Sequence, residues 1–449
     1  MLSRDENDLL TQTSSGTPMG DYMRRFWMPV MLAEELGEPD SAPVRVRLLG
    51  EDLIAFRDTE GRVGLVDRYC PHRRANLFFG RNEDCGIRCI YHGWKFDVDG
   101  NCVDLPSEPP ESRFREKVRL TAYPTAIKGG VLWAYMGPAE KRGEVPDFGW
   151  MDLPESHIYR SRWTQQCNYA QAVEGEIDSA HVSFLHSLVD TNDANNAALA
   201  GSYFSNDTAP KWKVIERDHG MILGARRVVE NARYYWRMNQ WYHPFYTMIA
   251  PVPGGPRAFR MWVPIDDENI NIICVSFRME QPVSAEEVKA WQTGQNSHAD
   301  RVPGTLIPRR NRDNDYLVDR EDQRLRTYSG IEGVRAQDMA MTEGAERIVD
   351  RTQEHLGTSD TAIIKMRRLL IDGAKALQCG VEPVAAQGSD IYRVQSHSDV
   401  IDGTDGRDQV EVRGTSGVDT ISVGQSGSTL TVTGNGSTLN LPNAMQDFA

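Results

Sequence analysis

Four residues in one short run carry side chains that bind soft metals. The segment RYCPHRRANLFFGRNEDCGIRCIYHGWKF holds Cys70 and His72, separated by one residue, and, after sixteen more, Cys89 and His92, separated by two. Each pair offers one thiolate and one imidazole. A [2Fe–2S] cluster with two Cys on one iron and two His on the other fits this inventory, because neutral imidazoles in place of thiolates raise the reduction potential. One Cys and one His on each of two loops would supply both irons from both loops. Zinc competes, since two Cys and two His also build a tetrahedral structural site. Finger-type zinc sites place a Cys pair before a His pair, whereas the order here alternates. Residue type alone allows both metals. Cys85 and Cys102, nearby, read as small hydrophobes.

A second concentration of acids and imidazoles follows: Glu174, Glu176, Asp178, His181 and His186 within NYAQAVEGEIDSAHVSFLH. At about 100° per residue, His181 and His186 lie about 140° apart on a continuous α-helix, so both face one metal only if the helix ends or bulges between them. Two His and one carboxylate on one face of an iron leave the other positions open for O2 beside a substrate.

The spacing C-x-H-x16-C-x-x-H, with Gly93 and Trp94 trailing, resembles the Rieske domain of ring-hydroxylating oxygenases. The pattern E-x3-D-x2-H-x4-H over Glu174, Asp178, His181 and His186 resembles their catalytic segment. The resemblance runs from about Thr13 to Ile391. It implies that Cys70, His72, Cys89 and His92 hold a Rieske [2Fe–2S] cluster and that His181 and His186 bind a mononuclear Fe(II). Asp178 matches the acid that bridges the two centres, hydrogen-bonding an iron-bound imidazole on one side and a cluster His on the other. The run from Gln337 to Asp360 resembles the carboxy-terminal part of the phthalate dioxygenase branch, which makes Asp338 the third iron ligand, with Glu343 and Asp350 as rivals. His243 and His355 read as core or surface histidines. One position departs from the pattern: Arg74 follows the motif Arg73 where many members have a small residue.

That branch is built as a head-to-tail homotrimer, so Asp178 would meet His72 or His92 across an interface that closes into a ring. The electrons for O2 would come from NADH through a separate flavin and iron–sulfur reductase, since this chain has no G-x-G-x-x-G after a strand and no further four-Cys set. The implied activity is dioxygenation of an aromatic carboxylate of the phthalate kind. An anionic substrate needs a buried cation near the iron. Arg237, within YYWRM, is the candidate, with Arg226, Arg227 and Lys211 as alternatives. The competing readings are a monooxygenase that O-demethylates a methoxylated aromatic acid, a pure electron-transfer Rieske protein, and a zinc-stabilised binding module without catalysis.

The elements that must position these residues are legible as an α+β chain. Val44–Leu48 alternates as a half-buried strand does, and Asp99-Gly100-Asn101 marks a hairpin between Trp94–Val98 and Cys102–Leu105. Residues 1–39 therefore form an N-terminal segment and 40–140 an antiparallel β Rieske domain. Residues 150–392 form a catalytic domain, an antiparallel sheet flanked by helices in the helix-grip manner. In it Cys167–His186 reads as a helix running into a loop, Met221–Ile249 and Phe259–Phe277 as long strands, and Asp338–Val349 and Thr361–Leu377 as helices broken apart at Gly357. Residues 393–449 are a Gly/Ser/Thr-rich tail with a strand at Leu430–Val432 and a turn at Asn435-Gly436, and no clean calcium-binding nonapeptide.

At 449 residues and 40% hydrophobic, the chain can fill more than one core. A net charge of −14 argues against nucleic acid or an anionic membrane as the main partner. No apolar run of about 18 residues occurs and the first residues lack a secretory core, which reads as cytoplasmic. There, seven cysteines are not expected to form structural disulfides, and their use, where they have one, is metal or redox chemistry.

Overall fold

The computed structural model describes residues 1–386, apart from 110, 190–202, 205–206, 230–233 and 252–253, together with five strands further along the chain. The N-terminal part is built of small antiparallel sheets. Val44–Leu48, Glu51–Arg57, Val63–Asp67 and Ala122–Tyr123 form one. Arg81–Glu83, Gly86–Arg88, Lys95–Phe96 and Cys102–Asp104 form a second. The expected hairpin closes the second sheet, with the Asp97 carboxylate accepting from the Asn101 backbone N–H at 2.8 Å. Between these sheets lies a core of its own, including Ile54, Phe56, Leu77, Ile87 and Phe96, and it takes in Cys70 and Cys89. The apolar run near the start becomes the strand Trp27–Leu32, which pairs with Val131–Tyr135.

The larger unit is an antiparallel sheet in the order Ile158–Gln165, Ile270–Phe277, Arg257–Pro264, Tyr246–Ile249, Tyr234–Tyr242, Gly220–Val228 and Lys211–Arg217. Ile270–Phe277 (INIICVSF) is buried along its whole length because both of its faces are covered. One face packs Tyr246 and Phe259 against Phe148, with ring centroids 4.4 Å apart for Phe148 and Phe259. The helix Tyr169–Ile177 packs on the strands Tyr246–Ile249 and Arg257–Pro264, and Thr361–Gln378 packs on Lys211–Arg217 and Gly220–Val228. A strand from the tail, His397–Ile401, joins this sheet beside Tyr234–Met238. The expected strand at Leu430–Val432 lies within Thr429–Gly434, paired on either side by Thr420–Ser426 and Ser437–Pro442. The expected turn at Asn435-Gly436 lies outside the described residues.

The second of the expected helices, Thr361–Gln378, stands as read, whereas the one carrying Asp338 runs Val334–Gly344 rather than Asp338–Val349. Past Gly344 the backbone is drawn away to other partners: the Arg347 carbonyl accepts from Asn168 N–H at 2.8 Å, and Val349 N–H donates to the Gln171 side chain at 3.1 Å. The helix Tyr169–Ile177 is anchored from below by Glu174, a buried carboxylate held by Arg351 at 3.0 Å and Arg367 at 2.8 Å. Burial opposes the charge on Glu174, but the two guanidinium groups hold its pKa below the ordinary value.

Candidate active site

Asn168 starts the helix that leads to the site, its side chain accepting from Ala170 N–H at 3.0 Å. The helix stops at Asp178, whose backbone is extended and whose N–H closes on the Glu174 carbonyl. The Asp178 carboxylate then accepts from the backbone N–H groups of Ala180 at 2.7 Å and His181 at 3.3 Å, which starts a 3-10 turn over His181–Ser183. The helix thus ends before His181, and no continuous helix runs on to His186, which meets the geometric demand for both imidazoles to face one point.

They do. His181 Nε2 and His186 Nε2 stand 3.2 Å apart, and Asp338 Oδ1 lies 3.5 Å from the first and 3.1 Å from the second. The other ring nitrogens are held by acceptors: His186 Nδ1 by Gln337 Oε1 at 2.7 Å and His181 Nδ1 by Asp178 Oδ2 at 3.3 Å. The Gln337 amide is itself oriented, its Nε2 donating to the Ile331 carbonyl at 2.7 Å. Each imidazole can therefore hold a proton on Nδ1 and turn Nε2 inward as a metal ligand. Three acceptors converging without a donor repel one another unless a cation sits between them, and the two outer partners fix the tautomer as metal sites require. Burial pushes the His181 pKa down, but Asp178 and Asp338 raise it to about 9, so without a cation Nε2 takes a proton of its own, which a bound metal would replace. Burial likewise opposes the Asp338 charge, yet His186 and Arg335 hold its carboxyl well below the usual carboxylate range.

The rivals for the third position lie elsewhere. Glu343 accepts from the Tyr316 hydroxyl at 2.7 Å and from Gln166 N–H at 2.6 Å, while Asp350 is tied to Arg4 at 2.9 Å. His243 is buried against Tyr22, 2.9 Å from its hydroxyl, and His355 is exposed.

A cavity of about 190 Å³ opens beside the triad, lined by Arg237, Arg260, Ser276, Tyr235, Phe204 and Pro256 among others. Of the four basic residues singled out from the sequence, Arg237 alone lines it. Its guanidinium lies 5.6 Å from the Phe204 ring centroid and makes no hydrogen bond or ion pair among the described residues. Burial pulls its pKa down. Arg227 is spent on Ser179 and on the Asp207 carbonyl, and Arg226 lies over Tyr234.

Sequence reasoning missed a buried network in the same wall. Glu176 sits between Arg260 and Arg335, and Arg335 also reaches Asp338 Oδ2 at 3.4 Å. Arg335 precedes Asp338 by three residues on its helix, the one signal that could have paired them.

At the other candidate centre, two loops share one backbone pattern. The Cys70 N–H donates to the Ala75 carbonyl, and the Arg74 N–H returns to the Cys70 carbonyl; Cys89 does the same with Trp94 and Gly93. Arg74 and Gly93 occupy equivalent left-handed positions, with φ of 58° and 79°. That backbone favours a small residue, and Arg74 occupies it by pointing outward, its guanidinium 3.1 Å from Asp67. The two cysteines are buried, and the His72 and His92 rings lie 4.4 Å apart, with Trp94 stacked on His72 at 4.3 Å. His72 Nδ1 is buried with no hydrogen-bond partner among the described residues, which suits a nitrogen that binds a metal. Burial, with Cys89 alongside, pushes the Cys70 thiol up to about 12, an environment in which a metal rather than water must stabilise the thiolate. Cys102 is buried and directs its thiol at the Asp104 carbonyl, so it is no part of the set.

Fold and site together define an oxygenase in which an iron–sulfur domain precedes a mononuclear-iron domain. A model of the Rieske [2Fe–2S] domain matches residues 26–124, and one described as LigXa C-terminal domain like matches residues 134–424. The phthalate 4,5-dioxygenase oxygenase subunit of Pseudomonas putida is 40% identical over 85% of this chain and 88% of its own. The 3-chlorobenzoate-3,4-dioxygenase oxygenase subunit of Comamonas testosteroni is 34% identical over 87% and 93%. The fold is also that of dicamba monooxygenase in its crystal structure with dicamba, at a TM-score of 0.57, 18% identity and 80% and 99% coverage. This chain belongs to the Rieske non-haem iron oxygenases, as the oxygenase subunit of a ring-hydroxylating system that draws its electrons from a separate reductase. No helix of the described residues is long and apolar enough to cross a membrane.

Proposed function

We propose that the chain hydroxylates an aromatic carboxylate of the phthalate kind, with His181, His186 and Asp338 as iron ligands and Arg237 as the anchor for the substrate's carboxylate. The observation that carries this reading is the cavity, where three convergent metal-binding groups share a wall with a guanidinium, Arg237, that has no hydrogen-bond or ion-pair partner among the described residues. Cys70 and Cys89 hold one iron of the [2Fe–2S] cluster and His72 and His92 the other. When bound, the cluster supplies electrons singly and the mononuclear iron activates O2. The protein's own part is to orient. Gln337 and Asp178 hold the imidazoles in one tautomer, and Arg335 keeps Asp338 ionised. Phe204, Tyr235 and Pro256 offer the apolar wall an aromatic ring needs.

In this reading residues 40–140 are the electron-carrying unit and 150–392 the catalytic one, with 1–39 and 393–449 as flanking segments. The chain forms a homotrimer in which Asp178, already on His181, reaches a cluster histidine of the next subunit. The reductase takes its electrons from NADH. A cytoplasmic setting suits seven cysteines that form no disulfide.

A single turnover tests the assignment: the iron-loaded protein is chemically reduced, given 18O2 and a panel of aromatic acids, and its products are read by mass spectrometry. Two labelled oxygens in a diol establish dioxygenation of that acid. One labelled oxygen, or loss of a methyl group, makes it a monooxygenase. No product from any acid overturns the carboxylate substrate.

A further inference from the structure

A second polar feature touches the catalytic cavity without belonging to the metal site. Ser276, on the strand Ile270–Phe277, lines the cavity. Its hydroxyl is 2.8 Å from His298 Nε2, and the Ser161 hydroxyl is 2.6 Å from His298 Nδ1. Ser161, on the strand Ile158–Gln165, lines a different recess, an open one of about 540 Å³ with Asp300 and Arg301 on its wall. The three side chains form a hydrogen-bonded chain from that recess to the cavity, and His298 at its centre is 0% exposed.

We infer that Ser161, His298 and Ser276 form a proton relay that feeds the oxygenation reaction from the outer recess. The reaction needs one. Insertion of both atoms of O2 as a diol, or of one atom with release of water, consumes two electrons and two protons per O2. The electrons arrive through the iron–sulfur cluster from the reductase; the protons come from solvent, by a route that must serve when substrate fills the cavity. The acids on the cavity wall are all engaged, Glu176 with Arg260 and Arg335, Asp178 with His181, and Asp338 with both histidines and Arg335.

The chain has the chemistry to carry them. A hydroxyl donates and accepts at once, and a neutral imidazole accepts at one nitrogen and donates from the other. In one transfer Ser276 gives its proton into the cavity and takes the proton from His298 Nε2. Nδ1 takes one from Ser161, and a water in the recess restores the Ser161 hydroxyl. One proton has moved inward and no charge remains inside; His298 is left protonated on Nδ1, and a local opening in which Nε2 takes a proton from water and Nδ1 gives one up returns the chain to its start. Burial, with Arg260 and Arg335 close by, holds the His298 pKa well below its ordinary value, so the ring stays neutral as the relay requires. The inference rests on the family's net reaction and is independent of which aromatic acid is the substrate.

The test uses Ser161→Ala and Ser276→Ala, which remove one hydroxyl each, with His298→Leu as a third variant. In the iron-loaded, reduced protein, single-turnover product formation falls on the order of 10-fold or more and its solvent deuterium isotope effect changes. Ser161→Thr, which keeps the hydroxyl where the recess leaves room, recovers most of the rate. A second readout needs no metal: in iron-free protein labelled with 15N-histidine, Ser161→Ala slows solvent exchange of the His298 ring proton by about 10-fold or more. Serine variants with the parent's isotope effect and ring-proton exchange overturn the relay and leave His298 a structural residue, whatever their melting temperatures. If His298→Leu does not fold, the serine variants decide alone.

Discussion

Arg237→Met separates the binding role of this residue from any role in holding the fold. The methionine keeps a long apolar stem beside Phe204 and removes the charge. A charge-assisted hydrogen bond contributes about 1.5–3 kcal/mol, so an aromatic carboxylate should bind roughly 10- to 150-fold more weakly. A neutral carboxamide of the same ring should bind nearly as before. The ligand-free protein should respond in the opposite sense. A guanidinium drawn from water with no acid in ion-pair contact among the described residues is costly, and its loss outweighs a cation–π contact worth about 0.5–1 kcal/mol. A net gain of about 1 kcal/mol raises the melting temperature by roughly 2–4 °C in a domain of this size. Equilibrium dialysis with benzoate, phthalate and benzamide, alongside thermal melts of both proteins, gives all the numbers. Undiminished carboxylate binding, or equal losses for acid and amide, refutes the assignment. A variant that binds poorly because it melts earlier refutes it too.

Further tests address the metals and the scaffold. His181→Ala should empty the mononuclear site while the Rieske absorbance and electron spin resonance stay intact; loss of the cluster signal would show that the ligands are divided wrongly. Asp178→Asn should keep both metals and lower coupled turnover by on the order of 10- to 100-fold, measured as product per O2 consumed. Glu174→Leu leaves Arg351 buried without a carboxylate, while Arg367 keeps Glu354 at 2.6 Å, and should cost about 3–5 kcal/mol, read as a large drop in melting temperature. Burial lowers the His243 pKa to about 3 in the folded chain, against about 6.5 when unfolded. Between those values the unfolded state binds the extra proton, so this contribution to stability is complete above about pH 6.5 and is lost as the pH falls towards 3. Melting temperatures of wild type and His243→Asn measured from pH 7.5 to 4.5 should therefore converge on acidification, and parallel curves would contradict the assignment.

The candidate metal ligands that the structure brings together were legible because the chemistry restricts residue type and the loops restrict spacing. That no unbroken helix could run from His181 to His186 could be demanded from helical geometry alone, since two ligands about 140° apart cannot share a metal; that it ends as early as Ile177 could not. What stayed hidden was polar and buried. Arg335 and Gln337 face inward from the first turn of the Asp338 helix, so the apolar periodicity that marks helices begins too late there, and the predicted start at Asp338 falls four residues after Val334. Glu176 and Arg260 meet across 84 positions, with no local pattern to pair them. The equivalence of Arg74 and Gly93 lies in backbone hydrogen bonds, and their side chains give no hint of it.

The anchoring of the helix Tyr169–Ile177 through Glu174 also sets a schedule for biosynthesis. His181 and His186 leave the ribosome about 150 residues before Asp338, an interval of roughly 8–30 s at about 5–20 residues per second. Through that interval the two imidazoles have no third ligand, and Glu174 has neither Arg351 nor Arg367 to neutralise it. Iron that reached the nascent chain would meet a mobile two-histidine site, open to whichever divalent metal was most abundant. On the proposed assignment the mononuclear centre is completed late, once Asp338 has been made and Arg351 and Arg367 have joined Glu174, whereas the four candidate cluster ligands, Cys70 to His92, are all synthesised within the first quarter of the chain.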